Sequence, residues 1–174
     1  MSELDAAWEL ALAEAKRRAR ASGRKDIADY LALRAQNDLL RRTAIDWLTS
    51  TVTALAADAN RRGGGIQIEL QDAHSFHVGQ ATMVGTKLTL RNGVRALTIE
   101  SGWPRTPRDG IVRGGGLACA NIKHLGRPKR NAQLLLKRSS DHVPQWLIIE
   151  KTEGRSPLSE DYLREHISLL LAEN

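Results

Sequence analysis

The chain has 174 residues, 41% of them hydrophobic and 26% charged, a balance typical of a folded domain and not of a disordered chain. Its single cysteine, Cys119, excludes an intramolecular disulfide and a cysteine-based zinc site within one chain. No apolar run approaches the roughly 18 residues of a membrane-spanning helix, and the acidic start does not resemble an export signal. We therefore expect a cytoplasmic protein without a membrane partner.

Positive charge is concentrated in the middle of the chain. Residues 61–138 carry fourteen Lys or Arg and four Asp or Glu, a net charge of +10, whereas residues 1–60 are neutral and residues 139–174 carry a net charge of −4. This asymmetry favours an anionic partner for the middle segment, most simply nucleic acid.

Residues 1–62 are predicted to be helical. Apolar residues recur at three- and four-residue spacing between Trp8 and Ala19, and Ser22-Gly23 ends that first helix. A second helix follows and either stops or continues into a third over residues 36–60, which carry one apolar stripe. The stripe must pack on the sheet predicted below or on another chain, so helix 36–60 is also a candidate for homodimer formation or partner binding.

After Gly65 the apolar residues alternate with polar ones, which predicts β-strands. About six strands follow, and Asn92-Gly93 is the strongest hairpin signal between them. The connections are too short for crossover helices, so consecutive strands should pair antiparallel in meander order. An apolar face from Leu158 to Leu171 predicts a C-terminal helix.

The sequence therefore predicts an α+β fold with two or three N-terminal helices, an antiparallel meander sheet of about six strands and a C-terminal helix packed on the sheet. The sheet and the C-terminal helix occupy residues 63–174. Together with the helices of residues 1–62 they are expected to form one compact unit.

The first candidate site is the stretch SGWPRTPRDGIVRGGG, residues 101–116. Asp109-Gly110 predicts a hairpin tip, with two arginines at its base, a third just outside, and a strand that contains the glycine triplet. Glycines admit the close approach of a backbone or a ligand, and successive amides can form an anion-binding nest. The stretch is thus either a bend of the sheet or an anion site. The site residues would be Arg105, Arg108, Arg113, Gly114, Gly115 and Gly116.

The second candidate is the segment GRPKR, residues 126–130. Its GRPK resembles the core of AT-hook motifs, which lies extended in the minor groove of A·T-rich DNA. The resemblance covers five residues, and Leu125 stands where those motifs carry a basic residue. A solvated loop between strands accounts for the same composition. The basic loop that would contact nucleic acid comprises Lys123, Arg127, Lys129 and Arg130.

No motif indicates catalysis, a metal or a cofactor. His74 and His77 are three residues apart, which places them on opposite faces of a strand. Cys119 lies among small apolar residues, which favours a buried thiol over a nucleophile. There is no phosphate loop and no nucleophile elbow.

The aromatic residues offer little for base stacking. The predicted sheet region contains only Phe76, Trp103 and Trp146, of which Trp103, in a loop before a proline, is the one expected to be exposed. We therefore predict a non-enzymatic binding module without a cofactor, whose cationic sheet and loops contact phosphate groups. Two alternatives remain: an assembly component that uses helix 36–60, and a small-anion binder or enzyme at residues 101–116.

Overall fold

The computed structural model describes residues 3–173, within which there are three α-helices and one seven-stranded antiparallel sheet. The helices are α1 (Glu3–Ala21), α2 (Lys25–Arg61) and α3 (Glu160–Leu171). The strands are β1 (Gln67–Val78), β2 (Ala81–Asn92), β3 (Arg95–Trp103), β4 (Ala118–His124), β5 (Ala132–Arg138), β6 (Pro144–Ile149) and β7 (Arg155–Pro157). Their order in the sheet is consecutive, so the predicted α+β meander is confirmed and the strand count rises to seven.

The N-terminal region contains two helices, because the predicted second and third helices are one continuous α2. None of the helices in residues 3–173 combines the length and the apolar character needed to cross a membrane.

The chain divides into two compact units, Met1–Arg42 and Thr43–Asn174, with the boundary inside α2. In the first unit, α1 and the beginning of α2 form a helical hairpin around Gly23, whose φ of 73° is a conformation that glycine adopts readily. Arg42 Nη1 of α2 donates a 3.4 Å hydrogen bond to Glu9 Oε1 of α1, which links the two helices.

The main core of the second unit lies between one face of the sheet and two helices. Leu48 and Val52 of α2 and Leu163 of α3 are buried there. Trp146 Nε1 of β6 donates a 3.0 Å hydrogen bond to the carbonyl oxygen of Ala44, which fastens α2 to the sheet. The apolar stripe of residues 36–60 is therefore largely occupied by the sheet. We call this side of the sheet the helix-covered face.

The opposite side, the helix-free face, is covered in part by residues 104–117 between β3 and β4. Val112 of this segment packs on a second apolar cluster with Met83 and Leu135. The rest of the helix-free face carries polar side chains, including Lys87 of β2 opposite Glu100 of β3.

Strand β1 contains a bulge at Asp72-Ala73, a pair that in the sequence alone favours a turn between two strands. Its pairing with β2 shifts between Gln71 and His74, and Ala73 has a φ of 53°. The extra residue exchanges the faces on which alternate side chains of β1 lie. Before the bulge Ile68 pairs with a residue of the helix-covered face, and after it Phe76 pairs with a residue of the helix-free face.

Candidate nucleic-acid interface

The meander order brings alternate connections to the same end of the sheet. The β2–β3 turn and the β4–β5 loop share one end, where the backbone N–H of Leu125 donates a 2.9 Å hydrogen bond to the carbonyl oxygen of Ala96. The connection from α2 to β1 joins them, because Asn92 Nδ2 donates to the carbonyl oxygen of Gly64 at 2.7 Å. We call this region the basic end. It carries Arg61, Arg62, Arg91, Arg95, Lys123, Arg127, Lys129 and Arg130.

The hairpin predicted at Asn92-Gly93 is confirmed, and Gly93 and Val94 form its turn. Asn92 pairs with Arg95 across it, and Gly93 has a φ of 60°. Arg95 donates to Asn92 Oδ1 at 3.1 Å and also to the carbonyl oxygen of Ala172, just after α3. The turn is therefore fixed to the C-terminus of α3, where the helix dipole favours a cation.

The β4–β5 loop is also ordered by hydrogen bonds. Asn131 Oδ1 accepts from the backbone N–H of His124 at 2.8 Å, and Arg127 Nη1 donates to the carbonyl oxygen of Leu169 at 3.1 Å. A 3-10 turn spans Pro128–Arg130. The segment thus lacks the extended conformation implied by its resemblance to AT-hook cores, and its two remaining cations, Lys129 and Arg130, are exposed.

Ion pairs neutralise part of this positive charge. Arg61 lies 3.0 Å from Asp58, and Arg62 also contacts that carboxylate. Their hydrogen bonds hold the pKa of Asp58 below its usual value. Lys123 Nζ lies 2.7 Å from Glu100 Oε2.

Three other cations of the basic end are not neutralised in this way. Arg91, Lys129 and Arg130 are exposed and have no ion pair within residues 3–173. The β6–β7 turn at the same end carries Glu150 and Glu153 with Lys151 between them, so this turn adds no net positive charge to the basic end.

A buried pair of histidines lies beneath the β4–β5 loop. His124 Nε2 of β4 and His166 Nδ1 of α3 are 2.8 Å apart, and the ring of Tyr162 meets His166 edge-on at 4.9 Å between centroids. Burial, followed by the charge of His124, lowers the pKa of His166 to about 4. The pKa of His124 is lowered by burial and then by the positive charges of Arg127 and Arg130, which face it from the loop.

A second polar cluster lies on the helix-free face. Glu100 Oε1 is 2.9 Å from His74 Nε2 of β1, although β2 lies between the two strands. The pairing explains this reach, because the intervening position opposite His74 is Gly85, which has no side chain. A Cβ atom at Gly85 would overlap the carbonyl oxygen of Ser101.

The first candidate stretch lies at the other end of the sheet and is not a hairpin. Two 3-10 turns, Pro107–Asp109 and Arg113–Gly115, replace the predicted tip and its glycine-containing strand, and β4 begins only at Ala118. Asp109 accepts hydrogen bonds from the backbone N–H and the hydroxyl of Thr106, which closes the first turn.

The three arginines of that stretch make separate contacts. Arg105 stacks 3.5 Å from the ring centre of Trp103 and donates to the carbonyl oxygen of Val84, whereas Arg113 lies against Gly79 in the β1–β2 turn. Arg108 is exposed. The prediction that Trp103 is exposed is wrong: the ring is 4% exposed, because it enters the main core beneath Arg105.

The glycine triplet is contacted by a residue that the sequence did not connect with it. The guanidinium of Arg155, from β7, approaches Gly114, which has a φ of 77°, so that a Cβ atom there would meet Arg155 Nη2 at 2.6 Å. Gly115 has open space around its Cα, and Gly116 packs so closely on Leu135 that a side chain would not fit. The positive φ of Gly114 and of Gly115, 77° and 70°, and the close packing of Gly116 therefore account for all three glycines.

Cys119, His74 and His77 lie where the sequence predicted them. Cys119 is buried, as predicted, and burial raises the pKa of its thiol to about 11. His74 and His77 pair with residues on opposite faces of β2, which confirms their separation. Within residues 3–173, no three His, Cys, Asp or Glu side chains are grouped to hold a metal ion.

The sequence prediction of the basic loop missed two of its neighbours, Arg91 and Arg95. The signal was available, since in a meander the Asn92-Gly93 turn and the GRPKR loop must share an end. The histidine pair gave no such signal, because its members are 42 positions apart on a strand and a helix. No protein-family model, no curated protein and no solved structure matches this chain.

Proposed function

We propose that this protein is a non-enzymatic binding module that holds nucleic acid by phosphate contacts at the basic end. The observation that carries the proposal is the convergence of eight Lys and Arg residues, in three connections and the adjoining ends of helix and strands, at one end of one sheet. Clustering of this kind is the electrostatic footprint of nucleic-acid binding.

The hydrogen bonds that fix the β2–β3 turn and the β4–β5 loop support the same proposal. Arg95 and Arg127 are engaged with carbonyl oxygens at the end of α3, and these bonds hold the neighbouring cations on a fixed backbone. A preordered loop loses less conformational entropy when it binds. Arg91, Lys129 and Arg130 are then the residues that would reach phosphate oxygens.

Contacts to phosphate are favoured over base stacking. Phe76, Trp103 and Trp146 are 6%, 4% and 5% exposed, so none of them offers a ring to a base. Binding should therefore depend strongly on salt and weakly on sequence. A nucleic-acid ligand and a reduced, buried cysteine are both consistent with the cytoplasmic location that we propose.

The test is a titration of labelled duplex DNA, single-stranded DNA and RNA with the protein over a series of salt concentrations, followed by fluorescence anisotropy. We expect the logarithm of the binding constant to fall linearly with the logarithm of the salt concentration. Absence of binding to all three probes even at low salt would overturn the proposal.

Two charge reversals locate the interface. Arg130→Glu and Arg108→Glu each change the net charge by the same amount, on exposed loops at opposite ends of the sheet. We expect Arg130→Glu to weaken binding about tenfold and to flatten the salt dependence, and Arg108→Glu to have little effect. Equal losses would indicate non-specific attraction, and a loss confined to Arg108→Glu would instead favour an anion site in residues 101–116.

A second candidate function is assembly through the helices. The observation that favours it is the exposure of large apolar side chains on the helical hairpin of the first unit. These residues are Trp8, Leu10, Tyr30, Leu33 and Leu39. Light scattering tests self-assembly: a dimer that Leu39→Glu converts to a monomer would support it, and a wild-type monomer at all concentrations would contradict it.

A further inference from the structure

Two aliphatic side chains project from the basic end. Val94, in the β2–β3 turn, is 93% exposed, and Leu125, at the start of the β4–β5 loop, is 65% exposed. The two loops are neighbours, because the N–H of Leu125 bonds to the carbonyl oxygen of Ala96. Neither side chain contributes to a core cluster of the described residues.

Cations flank each of these apolar side chains in the sequence. Val94 lies between Arg91 and Arg95, and Leu125 lies between Lys123 and Arg127. Hydrophobic contacts and charged contacts are thus presented together by adjacent loops. A ligand that fits both must offer an apolar surface bordered by negative charge.

We propose that Val94 and Leu125 enter the minor groove of duplex DNA as a wedge between base steps, while the surrounding cations bind the phosphates on either side. This inference rests on the proposed nucleic-acid function and narrows the ligand to a deformable duplex. Apolar wedges of this kind partly unstack a base step and bend the duplex.

The charge composition favours DNA over a lipid surface as the occupant. Six of the eight basic side chains are arginines, whose planar guanidinium binds phosphate in bidentate fashion and enters narrow minor grooves. The tips carry no Trp or Tyr, the residues that concentrate at membrane interfaces. Unstacking has a cost of a few kcal/mol per base step, which the phosphate contacts made by a bent duplex would offset.

The backbone that carries Val94 and Leu125 is fixed by hydrogen bonds, which also suits a wedge. The turn that carries Val94 has two residues between paired strands, and the loop that carries Leu125 is closed by the bond from His124 N–H to Asn131 Oδ1. Both side chains are therefore held by hydrogen-bonded backbone. Side chains fixed in this way can unstack a base step while the neighbouring phosphate contacts offset the cost in free energy.

The test compares two duplexes of equal A·T content, one with flexible TA steps and one with a stiff A-tract, each labelled at both ends for energy transfer. We expect the wild-type protein to bind the TA-step duplex more tightly and to bend it. The variant Val94→Thr/Leu125→Gln should lose the bend and bind that duplex about tenfold more weakly, with an unchanged salt dependence.

A matched control carries one Val→Thr change and one Ile→Gln change, in place of Leu→Gln, at the other end of the sheet. Ile111 and Val143 are 77% and 58% exposed, so Ile111→Gln/Val143→Thr should leave affinity and bend unchanged. The conservative variant Val94→Ile/Leu125→Met should retain the bend. Circular dichroism during urea unfolding confirms that every variant is folded.

Three outcomes would overturn the inference, and they are distinguishable. Salt-dependent binding without a bend, unaffected by Val94→Thr/Leu125→Gln, would remove the wedge and leave the proposed function intact. Absence of binding to any nucleic acid would remove both. Binding to vesicles of phosphatidylserine and phosphatidylcholine that the same variant abolishes, together with no bend, would assign the tips to a lipid surface.

Discussion

Glu100 is 8% exposed although it lies on the helix-free face of the sheet, and its burial requires compensation. Burial raises the pKa of its carboxyl group, but the hydrogen bonds from Lys123 and His74 outweigh that effect, so the pKa lies below its ordinary value. The carboxylate therefore connects β1, β3 and β4 in its charged form. We regard it as a structural link across the sheet.

We predict that Glu100→Gln lowers the free energy of unfolding by about 1–2 kcal/mol at neutral pH, because the amide cannot form the ion pair and leaves His74 less well bonded. Urea unfolding followed by circular dichroism measures this. Glu69→Gln, on an exposed position of the same face, is the matched control and should change stability by less than about 0.5 kcal/mol. Equal effects of the two substitutions would contradict the link.

The buried pair of His124 and His166 makes stability depend on pH. Both pKa values lie below that of an unfolded histidine, and that of His166 is about 4. The unfolded chain therefore binds protons more readily, so this contribution is complete above the unfolded pKa and is lost as pH falls from about 6.5 to about 4. Arg127 and Arg130 oppose protonation further, because they face His124 with like charge.

We predict a loss of about 2 kcal/mol in the free energy of unfolding between pH 7 and pH 5, measured by urea titration at each pH. In the variant His124→Leu/His166→Leu both partners are apolar, so this part of the pH dependence should disappear while the fold persists. A wild-type stability that is flat over this interval would show that the pair is not buried in solution.

At the scale of elements, the apolar stripe of α2 contains both buried and exposed side chains. Leu48 is fully buried against the sheet, whereas its neighbour Trp47 is 47% exposed. The sequence placed both on the same predicted stripe, because at a spacing of 100° per residue adjacent positions can share a broad face. Only packing against a particular sheet distinguishes them.

We predict that Leu48→Ala lowers the free energy of unfolding by about 3 kcal/mol, because the substitution leaves a cavity where α2 contacts the sheet. Trp47→Ala removes a larger side chain and should nevertheless have the smaller effect, about 1 kcal/mol or less. Circular dichroism is the suitable signal, since one variant lacks a tryptophan. The reverse order of effects would mean that α2 packs on the sheet through another side.

Much of the fold was predictable because it depends on local signals. The change of period after Gly65 and the Asn92-Gly93 turn are properties of short segments, and both correspond to the observed strands. The Asp72-Ala73 signal was also real, but a bulge satisfies the same backbone preference as a turn without ending the strand.

Residues 101–116 were predicted less well, because distant residues decide their conformation. Trp103 is buried by the main core, and Val112 by a cluster that includes Phe76 and Leu135. Phe76 lies in β1 and Leu135 in β5, far from Val112 in the sequence, and these contacts favour two short turns over a hairpin. The alternation of a short sequence carries no information about such partners.

At the scale of the whole molecule, the two compact units differ in what holds them together. Every buried residue of the two apolar clusters lies at or after Ala44, and the basic end lies wholly within Thr43–Asn174. The second unit therefore contains a complete core and the proposed interface. The first unit relies on a helical hairpin with small buried residues such as Ala19 and Ala28.

We predict that a chain beginning at Thr43 folds cooperatively and binds nucleic acid within about twofold of the full-length protein, because it retains the core and all eight cations of the basic end. Urea unfolding and fluorescence anisotropy measure the two properties. A chain beginning at Thr53 is the control: it lacks Leu48 and Val52, so α2 cannot cover the sheet and the chain should not fold. Loss of binding by a folded chain beginning at Thr43 would place part of the nucleic-acid interface on the helical hairpin, since the basic residues of α1 would then be the ones that contribute the missing contacts.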